Sequence, residues 1–71
     1  MFILIEKENY HVDFYEGKTY QYQGDIYPCV CSNQFKAKKY KSFKIAQNAC
    51  KWLNKKTGRN FQVSIYDIFK L

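Results

Sequence analysis

Three cysteines and a single histidine are the residues of this sequence whose types most often serve metal binding or nucleophilic chemistry. Cys29 and Cys31 are two positions apart, so they point to the same face if they lie on a strand. Cys50 and His11 could complete a Cys3His zinc site with them. Structural zinc sites usually carry paired ligand spacings, however, and here the fourth ligand would come from an unrelated segment. We expect small buried hydrophobic side chains instead, with no metal and no cofactor.

A thiol and a base could also form a nucleophilic pair, and Cys50 with His11 is the pair available. Cys50 falls on the apolar side of a predicted helix, where burial raises the pKa of a thiol and blocks access to it. No glycine-rich phosphate loop is present, and three glycines are available in total. The carboxylates of the first 35 residues are scattered: Glu6, Glu8, Asp13, Glu16 and Asp25. We therefore do not expect an enzyme.

Charge is distributed unevenly along the 71 residues. Residues 1–35 contain two basic and five acidic side chains, whereas residues 36–71 contain ten and one, so the halves carry −3 and +9. The sum is the net charge of +6. Such asymmetry is typical of proteins that contact phosphates or an acidic partner.

The basic half begins with a lysine cluster in which Tyr40 and Phe43 are interleaved. Its members are Lys36, Lys38, Lys39, Lys41 and Lys44. Lysines can contact phosphates while an aromatic side chain touches a base or sugar, so the cluster is a candidate site for an anionic partner. The alternative is an edge strand and a helix start whose lysines face water. Arginine, the preferred phosphate ligand, is present once, as Arg59.

Tyrosines are the second group of candidate binding residues. Seven tyrosines exceed what a domain of this size can bury with satisfied hydroxyl groups, so some must be exposed. Exposed tyrosines on hairpins make effective protein contacts, because they bring a large area and a polar tip while losing little rotamer entropy. We expect Tyr15, Tyr20 and Tyr22 to contact a protein partner. The alternative is ordinary half-exposed strand tyrosine.

Alternating and apolar runs predict the strands that position these residues. FILIE predicts a strand buried on both faces, central in a sheet. Residues 10–23 predict a β-hairpin that turns at Glu16-Gly17-Lys18. IYPCVCS predicts a strand in which Pro28 favours an edge strand or the beginning of the strand. QFKAKKYK predicts a further strand, with Phe35 and Ala37 facing inward.

One amphipathic helix is the clearest element. Ser42 is a good N-cap for a helix that begins at Phe43, and Gly58 can supply its left-handed stop. The apolar stripe repeats at intervals of three and four residues and comprises Phe43, Ala46, Ala49, Cys50 and Leu53, widened by Ile45 and Trp52. FQVSIYDI, residues 61–68, then predicts a strand with Phe61, Val63 and Ile65 facing inward.

These elements predict a single domain over residues 1–71. It is an α+β fold in which a small antiparallel sheet of about four or five strands packs against one helix, approximately residues 43–56, with a last strand after the helix. The apolar run after Met1 is too short for a signal peptide or a membrane span. We expect a cytoplasmic protein with no membrane partner.

Residues 37–68 resemble the C-terminal half of many small proteins of phages and mobile elements in Gram-positive bacteria. The resemblance rests mostly on fold-determining positions: Ala37, Tyr40, Ser42, Ala46, Ala49, Leu53, Phe61 and Val63. The junction YKSFKIAQNA is also similar to that of the arm-type DNA-binding domains of tyrosine integrases, in which the sheet contacts DNA. This chain lacks their threonine-, glycine- and lysine-rich hairpin and adds a strand after the helix.

The resemblance to phage proteins implies a non-enzymatic protein that binds and inhibits or modulates a host protein in the bacterial cytoplasm. Its specific form is counter-defence of the anti-CRISPR type, in which the partner is a host nuclease or its nucleic-acid complex. One alternative is a basic nucleic-acid-binding accessory protein that uses the cluster Lys36 to Lys44. Another is a purely structural or oligomer-forming component. Acidic DNA mimicry does not fit a basic chain.

Overall fold

A four-stranded antiparallel sheet with one helix packed against it forms the protein, in a computed structural model that describes residues 1–66. The elements in chain order are β1 (Phe2–Glu8), β2 (His11–Tyr22), β3 (Asp25–Cys31), a 3-10 helix (Gln34–Lys36), α1 (Phe43–Thr57) and β4 (Gln62–Ile65). The strand order is β3-β2-β1-β4. The predicted α+β architecture is therefore confirmed, including the last strand after the helix. The predicted end of that strand, residues 67–68, lies outside the described residues.

Strand β1 has an apolar core on each of its faces, as its sequence predicts. Leu4 is completely buried on the face that α1 covers, among Tyr15, Leu53 and Phe61. Ile3 and Ile5 point to the opposite face and are buried with Ala37. Because neighbouring side chains alternate between faces, the run FILI supplies both cores from consecutive residues.

Helix α1 has the predicted start and end. The Ser42 hydroxyl accepts a hydrogen bond from the amide of Ile45, and Gly58 closes the helix in the left-handed conformation. Ala46, Cys50 and Leu53 are buried against the sheet, and Ala49 is half-buried.

The flanks of the predicted apolar stripe are not core. Phe43 is 51% exposed, although the edge of its ring contacts Phe2, and Ile45 and Trp52 are 58% and 50% exposed. A helix that lies on a sheet buries only the stripe that faces the sheet. Ile45 and Trp52 each lie about 100° around the helix from the buried residue that follows them, so they are outside that stripe. Ile65, predicted to face inward, is 72% exposed, because it lies near the end of an edge strand opposite Phe2.

The predicted hairpin turn at Gly17 is wrong. β2 continues through this residue, and the register with β3 shifts between Tyr15 and Thr19, which marks a bulge. Gly17 has a φ of +100°, so its flexibility serves a kinked strand rather than a turn. The actual turn is at Gln23-Gly24, where both residues have positive φ, as in a type I′ hairpin.

The strand predicted for QFKAKKYK is also wrong. Asn33 accepts a hydrogen bond from the amide of Phe35 and caps the 3-10 helix there. The chain then runs extended beside the sheet, where Lys38 donates its amide to the carbonyl of Tyr15 and Tyr40 forms an isolated bridge with Phe2. Ala37 is buried as predicted, whereas Phe35 is 51% exposed.

Leu53→Ala tests whether the centre of α1 is core. Leu53 is completely buried, so we expect this substitution to lower the free energy of unfolding by about 2–5 kcal/mol. The matched control, Ile45→Ala, removes an aliphatic side chain that is 58% exposed and should change stability by less than about 1 kcal/mol. Urea denaturation measures both, and equal losses would contradict this account of the core.

Gly17→Ala tests the bulge. A Cβ at Gly17 would lie 2.7 Å from Cδ and 3.1 Å from Cβ of Lys38, whereas one at Gly24 would have no neighbour within 4 Å. Both glycines have positive φ, so both substitutions incur about 1–2 kcal/mol of backbone strain. We expect Gly17→Ala to lower the free energy of unfolding by about 1 kcal/mol more than Gly24→Ala does, as measured by thermal or urea unfolding. A loss no larger than that of Gly24→Ala would show that Lys38 does not constrain the bulge.

Candidate binding surfaces

Residues 18–28, the arm, form a two-stranded ribbon beyond the bulge in β2. β1 pairs with β2 only between Ile5–Glu8 and His11–Phe14, so within the described residues the strands of the arm pair with each other alone. A strand of the length of β2 spans about 40 Å, which matches the longest dimension of the molecule, 40 Å. All six residues from 20 to 25 are exposed. The arm therefore presents its tip to solvent.

Tyrosines occupy one face of the arm. Tyr20 and Tyr27 lie directly opposite each other across the two strands, with their rings stacked at 5.5 Å. Tyr22 is two residues beyond Tyr20 and points to the same side of the strand. Tyr20 and Tyr22 are 53% and 59% exposed. The structure thus places two of the three predicted protein-binding tyrosines together on an accessible surface and adds Tyr27, which sequence reasoning did not select.

Tyr15 does not belong to this surface, which corrects its assignment as a partner contact. It precedes the bulge and is 5% exposed, with its ring edge-on to Phe61 under α1. Burial raises the pKa of its hydroxyl. The pattern of alternating aromatics in residues 10–23 could not separate Tyr15 from Tyr20, because the bulge between them changes the facing of the strand.

Seven of the eight lysines between residues 36 and 56 are exposed, and no acidic residue interrupts this lysine segment. Among the described residues none of them forms an ion pair. Lys44, Lys51 and Lys55 follow one line along α1 on the side away from the sheet. Sequence reasoning selected Lys44 but not Lys51 or Lys55 for this surface.

Two members of the predicted lysine cluster are already engaged within the domain. Lys39 is half-buried, donates a hydrogen bond to the carbonyl of Phe35, and lies 4.9 Å from the ring centroid of Tyr66. Lys38 packs against the bulge and lies 5.9 Å from the ring of Tyr40, whose pKa is raised to about 12 by burial. Lys36, Lys41 and Lys44 are the more accessible members for an anionic partner.

Arg59 is held by carboxylates and does not extend the lysine segment as a phosphate ligand. Its Nη2 lies 2.5 Å from Glu6 Oε1 and 3.8 Å from Asp13 Oδ2, and its Nε donates to Glu6 at 2.8 Å. The amide of Asn60 donates to the second oxygen of Glu6. This ion pair fastens the loop after α1 to β1 and lines an open, polar cleft of about 450 Å³ with Lys7 and Glu8.

The thiol and the imidazole considered for nucleophilic chemistry have different partners. Cys50 Sγ donates to the carbonyl of Phe61 at 3.0 Å, and burial raises the pKa of this thiol. His11 Nε2 lies 2.6 Å from Asp13 Oδ1, and the imidazole is largely exposed.

Within residues 1–66 no group of three or more potential ligands is arranged to hold a metal ion. No helix in the same residues has the length and apolar character needed to cross a bilayer.

Comparison with protein-family models, curated proteins and solved structures finds no match to this chain.

The Glu6 ion pair predicts a pH dependence of stability. The hydrogen bond from Arg59 holds the pKa of Glu6 below its ordinary value of 4.5, so the stability it contributes is present above that pH and is lost as the pH falls through the folded-state pKa. Since Arg59 is one-third exposed, we expect Glu6→Gln to cost only about 1–2 kcal/mol at neutral pH.

Urea unfolding between neutral pH and acid measures this effect. The stability difference between wild type and Glu6→Gln should narrow as the pH falls below 4.5. Glu8→Gln, an exposed neighbour on the same strand, is the matched control and should change stability little. A gap between wild type and Glu6→Gln that stays constant into acid would contradict the role of the Glu6 charge.

Proposed function

We propose that this chain is a small non-enzymatic protein of a phage or mobile element that binds and inhibits or modulates a host protein in the bacterial cytoplasm. The observation that supports this proposal best is the arm, which carries Tyr20, Tyr22 and Tyr27 on one face beyond the helix-covered core. The proposed phage or mobile-element origin of the chain is based on the resemblance of residues 37–68 to small proteins of phages and mobile elements in Gram-positive bacteria.

The arm is suited to specific protein contact for two reasons. Its backbone is paired strand to strand, so a partner does not have to order a disordered loop. Its tyrosines offer broad ring surfaces with polar tips, the composition that carries binding energy at many interfaces. A buried interface tyrosine typically contributes about 2 kcal/mol or more, against roughly 0–1 kcal/mol for an exposed lysine pair.

The lysine segment then has a supporting role. Its charge speeds encounter with an acidic surface and contributes less to the lifetime of the complex. A host nuclease bound to nucleic acid presents such a surface, which motivates counter-defence of the anti-CRISPR type as the specific form of the proposal.

A second candidate function is nucleic-acid binding through the cluster Lys36 to Lys44. It is favoured by the absence of acidic side chains from residues 36–56 and by the exposure of Phe35, just before this stretch, and of Phe43 within it. In this case the lysines would supply most of the affinity, and binding would fall steeply and linearly with the logarithm of salt concentration.

An affinity pull-down from the lysate of a Gram-positive bacterium, with and without nuclease treatment, separates the two candidates. Retention of one protein after nuclease treatment supports the protein-binding function. Loss of all bound material supports nucleic acid. Tyr22→Ala is the decisive bait variant, because Tyr22 is exposed and its removal should abolish specific retention without unfolding the domain. Tyr10→Ala, at the fully exposed β1–β2 turn, is the matched control and should retain the partner.

The kinetics of the isolated complex provide a further prediction. Changing Lys36, Lys41 and Lys44 to glutamine should slow association and flatten its salt dependence, whereas Tyr20→Ala or Tyr22→Ala should mainly speed dissociation, by about 30-fold for a loss of 2 kcal/mol. Surface plasmon resonance at two salt concentrations measures both rates. If the lysine variant abolishes binding while the tyrosine variants bind normally, the arm is not the specific contact.

A further inference from the structure

A second exposed feature, separate from the arm, lies on one flank of α1. Ile45, Ala49 and Trp52 follow one another at intervals of four and three residues, so they form a continuous stripe along about two turns, and the ends of this stripe are about 10 Å apart. Ile45 is 58% exposed and Trp52 is 50% exposed, whereas Ala49 is half-buried.

The described residues leave Ile45 and Trp52 exposed, whereas Ala49 between them packs in part against the core. Asn54 lies on the opposite flank of the helix, where it exchanges hydrogen bonds with the backbone of Phe61 before β4. The loop into β4 therefore packs on the side of Asn54, and Trp52 and Ile45 face away from it. Ile45 and Trp52 are joined through Ala49 into one apolar patch with a basic border, and a contiguous exposed apolar patch rimmed by polar residues is typical of an interaction site.

The border of the stripe is basic. Lys44, Lys51 and Lys55 lie beside it on the outer side of α1, and Lys56 lies at its C-terminal end. Residues 36–56 contain no acidic side chain, so no carboxylate of this segment neutralises the positive charge of the border. A partner that covers the stripe must bring negative charge to the side of its apolar contact that lies over the outer side of α1.

We infer that this stripe is a docking surface for an acidic amphipathic helix of a partner protein. A helix with apolar residues at the same three- and four-residue spacing fits the stripe, and glutamates or aspartates beside that apolar row would face the lysines. Charge and geometry disfavour the other occupants. A second copy would place lysine rows against each other, and nucleic acid would leave Ile45 and Ala49 without an apolar contact.

This inference does not depend on the arm, because the two surfaces contain different residues and can be tested separately. Trp52 is the single tryptophan of the chain, so intrinsic fluorescence reports coverage of the stripe directly. The probes are synthetic peptides of about 18 residues, or five helical turns. One carries leucines at the stripe spacing with flanking glutamates, the second has the same leucines with flanking lysines, and the third is a scrambled version of the first.

With the full chain at about 0.15 M salt, the acidic amphipathic peptide should shift the Trp52 emission to shorter wavelength and protect it from acrylamide. The lysine-flanked and scrambled peptides should bind at least about tenfold more weakly. The Ile45→Ser variant should lose about tenfold in affinity for the acidic peptide while keeping the circular dichroism spectrum of the wild type.

Charge reversal provides the matched comparison. Lys51→Glu with Lys55→Glu should weaken binding of the acidic peptide by about tenfold, since two favourable contacts become repulsive. Lys7→Glu with Lys18→Glu makes the same change in net charge at exposed positions outside α1 and should have little effect. Equal weakening by both pairs would show nonspecific attraction and overturn the inference.

Three further results would also overturn it. The scrambled peptide could bind as well as the amphipathic one, which would show attraction by charge alone. A DNA duplex of about 20 base pairs could shift the Trp52 emission when the peptide does not, which would assign the surface to nucleic acid. Trp52 could already be protected from acrylamide in the chain alone, with protection that rises with protein concentration, which would assign the stripe to a second copy.

Discussion

Burial of β1 on both faces is the constraint on which the rest of the structure depends. Leu4 requires a cover on one face, which α1 provides, and Ile3 with Ile5 requires a cover on the other, where Ala37 packs. A domain of 71 residues cannot form two independent cores, so one strand supplies both. The path of the chain between β3 and α1 follows from this need: residues 37–40 must pass close to β1 and β2 before the helix can begin at Phe43.

The parts of the fold that sequence could predict are those in which local chemistry and tertiary packing agree. Ser42, the central apolar residues and Gly58 specify α1 without reference to the rest of the chain, and the uninterrupted apolar run of β1 indicates a central strand. Gly17 shows where this reasoning ends. A glycine between alternating aromatic runs is typical of a hairpin turn, yet its positive φ is used in a bulge beside Lys38, a neighbour 21 positions away that no local pattern reveals.

Binding surfaces were predicted less completely, because exposure depends on the bulge and on how α1 is rotated against the sheet. Tyr20 and Tyr22 are exposed, and Tyr15 is in the core, although all three belong to one alternating run. Trp52 and Ile45 lie beside the core positions on the helix and are exposed, because a helix on a sheet buries only the stripe that faces it. Lys39, predicted to bind an anionic partner, contacts Phe35 and Tyr66 within the domain, and no local pattern indicates these contacts. Charge and aromatic content indicate the chemical class of a partner, an acidic or a protein surface, because none of these positions forms a motif that is specific to one partner.

The pairing of β1 with β4 has a consequence for how the chain reaches its native state. Phe2 lies opposite Ile65 and Leu4 lies opposite Val63, so β1 is paired along one edge by residues that are synthesised about 60 positions later. Until then that edge of β1 has no partner strand, although β2 and α1 have already been made. Closure of this long loop, rather than formation of the helix or of the β2–β3 ribbon, should limit the rate of folding. A chain that lacks β4 therefore has the covers of both faces of β1 in its sequence but leaves one backbone edge of this strand unpaired, and an unpaired edge is a site where strands of other molecules can add.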